Sequence, residues 1–252
     1  MELKEIPRKV GNEYIKKYHY THKVCTGTKW TLGVIINGEI KGIIQLGSGV
    51  QPRATEKWVE GTQPNEWVEL NRNWLAEDLP HNSESKVMGL MFQWIRDNQP
   101  QIKWIVTFAN GAAGHVGIQY QASNWIYTGY NKTGGFWVTK EGRMIHSLTL
   151  YSKGLQNVKR ETLEGIYGTP LYRVVGGQFR YFYFIHKKER KNLTLQTQPY
   201  PKQRDLENYV EILDRNWEGP KPLWNKVSTL IAENHRRGSI SPQHSTINTK
   251  WW

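Results

Sequence analysis

Blocks of apolar and polar positions predict an α/β (α+β) protein whose core begins with a hairpin. Two β-rich runs, TLGVII and EIKGIIQLG, are joined by Asn37-Gly38, a pair typical of two-residue hairpin turns. The run WVELNRNWL at 67–75 alternates as a strand does. From Ser85 the apolar positions take helical spacing, and this helix is predicted to end at Pro100.

A second strand–helix–strand unit follows. The run IKWIVTF predicts a strand, HVGIQYQASN a helix and WIYTGYN another strand, while a short helix is expected to end near His19 to His22. Alternation of this kind after an antiparallel hairpin predicts a mixed sheet flanked by helices.

The rest of the chain is aromatic, basic and rich in turns. Strands are predicted in FWVTKEG, MIHSLTLY, PLYRVV and FRYFYFIH. We expect a catalytic domain over residues 1–198, with a cofactor half at about 12–130 and a basic, strand-rich part at about 131–198. Residues 199–252 are expected to form an extension, first helical and then disordered.

Charge is distributed unevenly along the chain. Residues 1–131 carry 14 Lys+Arg against 12 Asp+Glu, whereas residues 132–252 carry 20 against 10. A basic excess favours a polyanionic partner such as nucleic acid, although a solvated basic face is the ordinary alternative. The 12 Trp and 13 Tyr supply a core and also flat faces on which bases could stack.

Cysteine content and hydropathy limit the compartment and the kinds of site. No apolar run approaches the roughly 18 residues of a membrane span, and the N-terminal residues do not form a signal peptide. One cysteine, Cys25, excludes an internal disulfide framework and a cysteine-rich zinc site, and an ordinary thiol is expected there. These features favour a soluble cytoplasmic protein and leave its oligomeric state open.

Several residues could carry chemistry, and each also has an ordinary structural explanation. The loop before the helix, LPHNSESK, could bind an anion at the helix N-terminus, or Asn and Ser could simply cap it. His19 and Tyr20 could move a proton or cap a helix end. Arg72, His115 and Tyr120 could each belong to a functional site. The structural alternatives are a salt bridge for Arg72, a helix cap for His115 and a place in the core for Tyr120. No HExxH, Cys/His ribbon, GxSxG or Walker motif is present.

Taken together, four segments resemble the Mom family of phage DNA-modification proteins. They are the HY pair near the start, ELNRNWL, LPHNSES and FAN…GHVGIQYQASNWIYTG, in the same order as in that family. The family is a divergent branch of the GNAT (acetyltransferase-like) fold that converts adenine in DNA to an N6-carbamoylmethyl derivative, protecting phage DNA from restriction.

The resemblance implies roles for particular residues. The functional His-Tyr pair of the family matches His19 and Tyr20, and the arginine of the family matches Arg72. The loop serine of the family matches Ser85, and its functional tyrosine matches Tyr120. Where the family commonly has aspartate this chain has Asn110, which can still hydrogen-bond an amide or a base edge. Acetyl-CoA or a related acyl-CoA is the implied donor, held by Asn82, Ser83, Ser85 and Lys86. The family's suggested iron dependence makes Fe(II) an implied cofactor, with His19 and His115 as possible ligands.

The sequence therefore predicts a transferase acting on the N6 amine of adenine in double-stranded DNA, in the host cytoplasm. Phosphate contacts are predicted for a basic run of four residues: Lys187, Lys188, Arg190 and Lys191. Two alternatives stay open: an acyl-CoA-dependent acyltransferase for a protein or small-molecule amine, and a non-catalytic DNA-binding protein on the same fold.

Overall fold

The computed structural model describes residues 1–49, 51–132, 136–139, 144–146, 150 and 153–212. The ten strands within these ranges are β1 Glu2–Glu5, β2 Thr28–Ile36, β3 Glu39–Gly47, β4 Trp67–Leu75, β5 Trp104–Asn110, β6 Ile126–Lys132, β7 Phe136–Thr139, β8 Met144–His146, β9 Leu171–Phe184 and β10 Val210–Ile212. The helices are α1 Arg8–Tyr18, α2 Pro52–Glu56, α3 Ser83–Asn98, α4 Ile118–Ala122 and α5 Arg160–Tyr167. Short 3-10 turns cover Gly111–Ala113, Lys187–Asn192 and Gln203–Asn208.

The strands form one mixed sheet in the order β1-β2-β3-β4-β5-β9-β7-β8, and β6 and β10 also pair with β9. Asn37 and Gly38 both have positive φ, as the predicted hairpin turn between β2 and β3 requires. The only parallel pair among the described strands is β4 with β5, connected by α3. The predicted α/β class, a mixed sheet flanked by helices, is confirmed.

The helices lie on opposite faces of the sheet. On one face, α3 packs its predicted apolar side, including Val87, Met91 and Ile95, onto the main core. On the other, α1 approaches closely enough that a Cβ on Gly11 would collide with Thr31 of β2. Tyr18 at the end of α1 stacks on Trp74 of β4, with ring centroids 4.8 Å apart. The chain therefore leaves α1 over β4, which places the next residues beside that strand.

Strands β4 and β5 separate part of the way along their length. They pair only through Trp67↔Trp104, Val68↔Ile105 and Glu69↔Val106. Beyond Glu69, β4 continues to Leu75 against β3, while β5 continues to Asn110 against β9. Their carboxyl ends therefore diverge, and we call the space between them the β4–β5 opening.

The later part of the chain differs from the sequence prediction in two places. The two strands predicted in PLYRVV and FRYFYFIH are one strand of 14 residues, β9, because its ends find different partners: β7 and β10 at the start, β5 and β6 at the end. The helix predicted after residue 199 is a short 3-10 turn followed by β10. The second predicted helix and the tail beyond residue 212 lie outside the described residues.

The chain between the basic run and β10 packs on the sheet. The Gln198 backbone N–H donates to the Tyr127 carbonyl oxygen at 2.9 Å, and the Tyr200 hydroxyl donates to the Trp125 carbonyl oxygen at 2.6 Å. Where the catalytic domain ends along the chain stays a prediction. Within the described residues, no helix combines the length and hydrophobicity needed to span a bilayer.

Candidate active site

The loop that follows α1 carries His19 and Tyr20 to the β4–β5 opening. His19 is buried, and its Nδ1 accepts the backbone N–H of Thr21 at 3.1 Å. Because Nδ1 is thereby an acceptor, the neutral imidazole carries its proton on Nε2. Tyr20 stacks on His19 with centroids 4.4 Å apart and also contacts His115, at 5.2 Å.

Tyr20 sits among the other residues predicted for the site. Loss of hydration on burial raises the pKa of Tyr20 to about 12, and Tyr120 adds to this rise. Arg72 and a hydrogen bond from the Asn110 side chain lower the pKa but offset only part of the rise. These influences place Tyr20, Arg72, Asn110 and Tyr120 in one neighbourhood. Tyr20 stays protonated near neutral pH, so its hydroxyl can donate a hydrogen bond but is not a base.

Arg72 fastens the His19–Tyr20 loop to β4. Its Nε donates to the Lys23 carbonyl oxygen at 2.9 Å and its Nη1 to the Asn71 carbonyl oxygen at 2.6 Å. A register shift in the β3–β4 pairing makes Asn71 an extra residue, and its Nδ2 donates to Cys25 Sγ at 2.7 Å. In the part of the chain that the structure describes, Nη2 of Arg72 has no hydrogen-bond acceptor, so it can meet an anionic group of a substrate.

Four buried amide oxygens lack donors among the described residues, and they belong to Gln45, Asn71, Asn73 and Asn110. Two of them adjoin the predicted site, because Asn110 is hydrogen-bonded to Tyr20 and Asn71 precedes Arg72. Oδ1 of Asn110, at the end of β5, and Oδ1 of Asn71 are both buried without a hydrogen-bond partner among the described residues. An unsatisfied buried acceptor is costly and uncommon in a native protein. Both oxygens are therefore suited to accept an N–H group from a bound molecule.

Tyr120 reaches the opening from the opposite face of the sheet. It is buried in the main core, and its hydroxyl lies 3.2 Å from Thr107 Oγ1, which donates to the Leu70 carbonyl oxygen at 3.1 Å. That carbonyl lies just past the last β4–β5 residue pair, Glu69↔Val106. Burial raises the pKa of Tyr120, so it too is a neutral hydroxyl. Tyr120 is thus both a core aromatic and a polar group at the opening.

Glu69 is a site candidate that sequence reasoning missed. Burial raises the pKa of its carboxyl to about 7 from the ordinary 4.5, with Arg72 opposing the rise. It is the last β4 residue paired with β5, and its carboxylate lies against the backbone of Gly49. The available signal was strand alternation, which puts Glu69 on the same face as Asn71, but alternation does not reveal burial.

His115 is placed differently from the expectation. It lies in the loop between the Gly111–Ala113 turn and α4 and is exposed, rather than opening a helix. The predicted ten-residue helix shrinks to five residues because Gly117 before it and Asn124 after it both take positive φ, which a helix excludes. The backbone N–H of His115 donates to the Asn110 carbonyl oxygen, which keeps this loop beside the opening.

The described residues do not fit an iron centre. They contain no group of three or more His, Cys, Asp or Glu side chains placed to hold a metal ion. His19 uses Nδ1 for Thr21, and Asn110 stands where a carboxylate would be needed. The implied Fe(II) with His19 and His115 as ligands therefore finds no support.

The predicted cofactor loop leads into α3, near the end of β4. Asn82 is in the left-handed region, at φ 66°, and its side chain caps nothing. Ser83 is buried, with its hydroxyl donating to the Pro80 carbonyl oxygen at 2.6 Å, whereas Ser85 is partly exposed and Lys86 is exposed. A cleft of about 600 Å³ lies here between the hairpin turn and the start of α3. A 16-residue helix offers free backbone N–H groups at its first turn, which suit a phosphate.

The predicted DNA-contacting run lies far from these residues. Lys187, Lys188, Arg190 and Lys191 are all exposed on the turn after β9. The end of β9 pairs with the start of β5, and Asn110 is at the other end of β5. At roughly 3.3 Å per residue, the run lies about 20 Å along the sheet from the opening.

Comparison with solved structures finds acetyltransferases. An aminoglycoside acetyltransferase in complex with coenzyme A and kanamycin matches 53% of this chain and 86% of its own, at 14% identity and a TM-score of 0.36. A spermidine/spermine N-acetyltransferase from Vibrio cholerae matches 75% and 96%, at 8% identity and a TM-score of 0.38. At these identities and scores, ligands and roles do not transfer to this chain.

Comparison of sequences is decisive for the family. The model of the Mom protein family matches residues 1–202. Methylcarbamoylase Mom of Escherichia phage Mu is 31% identical over 195 residues, which cover 75% of this chain and 78% of that protein. The chain belongs to the Mom protein family. The family predicted from the sequence is thereby confirmed, and with it the class of a phage DNA-modification transferase.

Proposed function

We propose that this protein transfers a carbamoylmethyl-like group to the exocyclic N6 amine of adenine in DNA. The observation that carries this proposal is the assembly of Tyr20, Arg72, Asn110 and Tyr120 at the β4–β5 opening, from four separate segments of a Mom-family chain. The methylcarbamoylase activity named for the phage Mu relative supports the kind of group transferred.

The amine would be recognised by the buried amide oxygen of Asn110. An exocyclic amine carries two N–H donors, and Asn110 Oδ1 is a buried acceptor that has no donor among the described residues. Hydrogen bonding to Asn110 would fix the amine beside Tyr20, whose hydroxyl stays protonated. Asn110 fills this role with a neutral acceptor where the family commonly has a carboxylate.

The proton lost by the amine needs an acceptor that is partly ionised near neutral pH. Tyr20 and Tyr120 are unsuitable because burial raises the pKa of each. Glu69, with a pKa of about 7, matches a general base poised at the working pH. His19, held as the Nε2–H tautomer, would then orient Tyr20 by stacking on it.

A donor carried by acetyl-CoA or a related acyl-CoA fits the arrangement next to α3. Ser85, Lys86 and the first-turn backbone N–H groups of α3 would hold its phosphates, while Ser83 is turned inward. Direct transfer of the acyl carbon would release the coenzyme A thiol and give an N-acyl product, so a carbamoylmethyl group would have to come from a donor derived from the acyl-CoA. Nη2 of Arg72 is available to an anionic oxygen near the amine.

The acceptor would be an adenine turned out of double-stranded DNA in the host cytoplasm. The N6 amine of a stacked base cannot enter a partly buried opening, so the base must leave the helix. Lys23 lies in the loop whose backbone Arg72 holds. The pKa of Lys23 is lowered, mainly by burial and further by the positive charge of Lys153 nearby. These lysines add positive charge beside the opening, where phosphates of a flipped nucleotide would pass.

A restriction-protection assay tests this proposal. Plasmid DNA from cells expressing the protein should resist endonucleases whose sites contain adenine, and Arg72→Ala should abolish that resistance. Arg96→Ala is the matched control, because Arg96 is an exposed arginine of α3. Full sensitivity of DNA from cells that contain folded wild-type protein would contradict the proposal. Loss of protection in both variants would remove the case for Arg72.

A further inference from the structure

Arg180 is a buried cation that has no role in the proposed transfer reaction. It lies on β9, is 8% exposed and stands directly opposite Phe108 of β5. Its Nε donates to Thr128 Oγ1 at 2.9 Å, its Nη2 donates to the Thr128 carbonyl oxygen at 3.1 Å, and its guanidinium lies 4.7 Å from the centroid of the Trp58 ring. These contacts fix the orientation of the guanidinium, and every partner in them is neutral.

A buried charge held only by neutral groups is unusual. Burial of an ion normally requires a counter-ion, and the described residues place no carboxylate in an ion pair with Arg180. Nη1 has no acceptor among those residues. Loss of hydration lowers the pKa of this guanidinium, which is the expected effect of an uncompensated site. The arrangement favours a bound anion that brings the missing charge.

The position of Arg180 links it to the β4–β5 opening. Phe108 is its cross-strand partner and Asn110 lies two residues further along β5. Diagonal neighbours of this kind in antiparallel strands are about 7–8 Å apart. Phe108 and Trp58, both partly exposed, form an edge-to-face pair at 6.3 Å beside the guanidinium. A charged fork and aromatic faces therefore lie close to the proposed amine-binding amide.

We propose that Arg180 binds a phosphate group of the substrate in a subsite walled by Trp58 and Phe108. A planar guanidinium that keeps one terminal nitrogen available suits phosphate oxygens, and the aromatic faces suit a nucleobase next to them. The inference rests on the proposed function, since either the DNA backbone or a phosphorylated cofactor supplies the phosphate. The subsite lies on β5 and β9, away from the start of α3, and this placement favours the DNA backbone.

Binding measurements on four full-length proteins test the subsite: wild type, Arg180→Met, Arg180→Lys and Arg173→Met. Arg173 is the matched control, because it lies on the same strand and stacks on a tryptophan, Trp137, but is exposed. The probes are a fluorescent duplex containing one mismatched adenine and, separately, coenzyme A. Removal of charge-assisted hydrogen bonds predicts about 10- to 100-fold weaker binding of one probe by Arg180→Met, a smaller effect for Arg180→Lys, and binding within about twofold of wild type for Arg173→Met.

The two probes separate the sources of phosphate. Weaker duplex binding with unchanged coenzyme A binding assigns the subsite to the DNA backbone, and the reverse assigns it to the cofactor. Unchanged binding of both probes by Arg180→Met and Arg180→Lys overturns the proposal, and so does a wild-type protein that binds neither. These readouts need no turnover, so a failure of the proposed adenine modification would be distinguishable.

Thermal melting distinguishes a binding role from a structural one. If Arg180 awaits an anion, Arg180→Met should melt no lower than wild type without ligand, because an uncompensated buried charge is replaced by an apolar chain of similar length. If Arg180→Met unfolds, Arg180→Lys, which keeps the charge but loses the fork, provides the binding result. A large fall in melting temperature together with normal binding by Arg180→Lys would show a structural role and overturn the proposal.

Discussion

At the scale of single residues, the ionisation of Glu69 is the property that most constrains the chemistry. Its pKa of about 7 means that the carboxyl changes charge within the physiological range. Burial is the main cause and Arg72 the moderating one. A carboxyl of this kind is half ionised at pH 7, and mostly ionised about one pH unit above, so that it can then accept a proton.

The first prediction concerns activity against pH. If Glu69 is the base, modification by the wild-type enzyme should rise about tenfold per pH unit below 7 and level off above it, because only an ionised carboxylate accepts a proton. Glu69→Gln should be slow at every pH and lack this rising limb. Initial rates on an adenine-containing duplex between about pH 5.5 and 8.5 provide the test, with Asp97→Asn, an exposed carboxylate near the end of α3, as control. If the rate of Glu69→Gln still rose with pH below 7 as in the wild type, the ionisation responsible for the rise would belong to another group.

The second prediction concerns stability at the same residue. A carboxyl whose pKa is raised by folding contributes stability below its unfolded value of 4.5 that is lost as pH rises through about 7. Above pH 7, Glu69→Gln should therefore be more stable than wild type by roughly 1–3 kcal/mol, an advantage that falls to less than about 1 kcal/mol at pH 5 and disappears below the unfolded pKa of 4.5. Urea unfolding at about pH 5 and pH 8 measures this difference. The same difference at both values would contradict the raised pKa.

The third prediction concerns Asn110. Asn110→Ala should lower activity about 10- to 100-fold through loss of the acceptor, and should cost about 1 kcal/mol of stability because the Asn110 side chain also hydrogen-bonds Tyr20. Asn110→Asp restores the family's usual carboxylate and should keep much of the activity. Rates and thermal melts of both variants would check this. Full activity of Asn110→Ala would exclude the proposed amine contact.

At the scale of elements, the site depends on a close backbone contact that holds the loop after α1. A Cβ at Gly47 would press directly on the Gly27 carbonyl oxygen, where β3 meets the end of that loop. Gly89 is an exposed glycine of α3 that serves for comparison, because a Cβ added there would meet no atom within 4 Å.

The fourth prediction follows from this contrast. Gly47→Ala should destabilise the protein and reduce activity, because moving the Gly27 end of the loop displaces His19 and Tyr20. Gly89→Ala should stabilise the protein by about 0.5–1 kcal/mol and leave activity unchanged, because alanine is the better helix former. Chemical denaturation and rate measurements on both variants test the pair. An active, stable Gly47→Ala would show that the contact does not position the loop.

Local signals in the sequence were sufficient for the elements whose patterns are strong. Periodicity located β4 at its observed bounds and α3 to within two residues at its start, and Asn37-Gly38 fixed the hairpin. Tertiary pairing decided the rest: β9 runs through Gly176-Gly177 because both its edges are paired. The divergence of β4 from β5 has no sequence signal, since it depends on what each strand pairs with on its other side.

The candidate site was predictable only in part. His19, Tyr20, Arg72 and Tyr120 were named through the family resemblance, and the structure brings them together. Glu69 and Arg180 were missed because their significance lies in burial, which a strand pattern alone does not give. Their roles, like those of the other site residues, remain proposals.

At the scale of the whole molecule, the basic run after β9 and the β4–β5 opening lie at different ends of β5 and β9. The basic run after β9 is exposed and lies beside the start of β5. A DNA duplex can contact both regions only if it lies along the sheet. The run therefore suits backbone contacts that hold DNA without reading its sequence.

The fifth prediction tests this division. Replacing Lys187, Lys188, Arg190 and Lys191 together by Ala should weaken duplex binding for every sequence. The log–log slope of affinity against salt should become shallower by about 0.9 for each phosphate that the variant no longer neutralises. The maximal rate at saturating DNA should be unchanged. Anisotropy titrations from about 50 to 300 mM salt measure the slope. An unaltered slope would show that the run is only a solvated surface.

Mass spectrometry of nucleosides tests most directly whether this protein modifies adenine in DNA. DNA from cells expressing the wild-type protein should yield a deoxyadenosine derivative heavier by a carbamoylmethyl-like group, absent from cells expressing Arg72→Ala. Only unmodified deoxyadenosine, in cells that contain the folded wild-type protein and its donor, would contradict the proposed adenine modification.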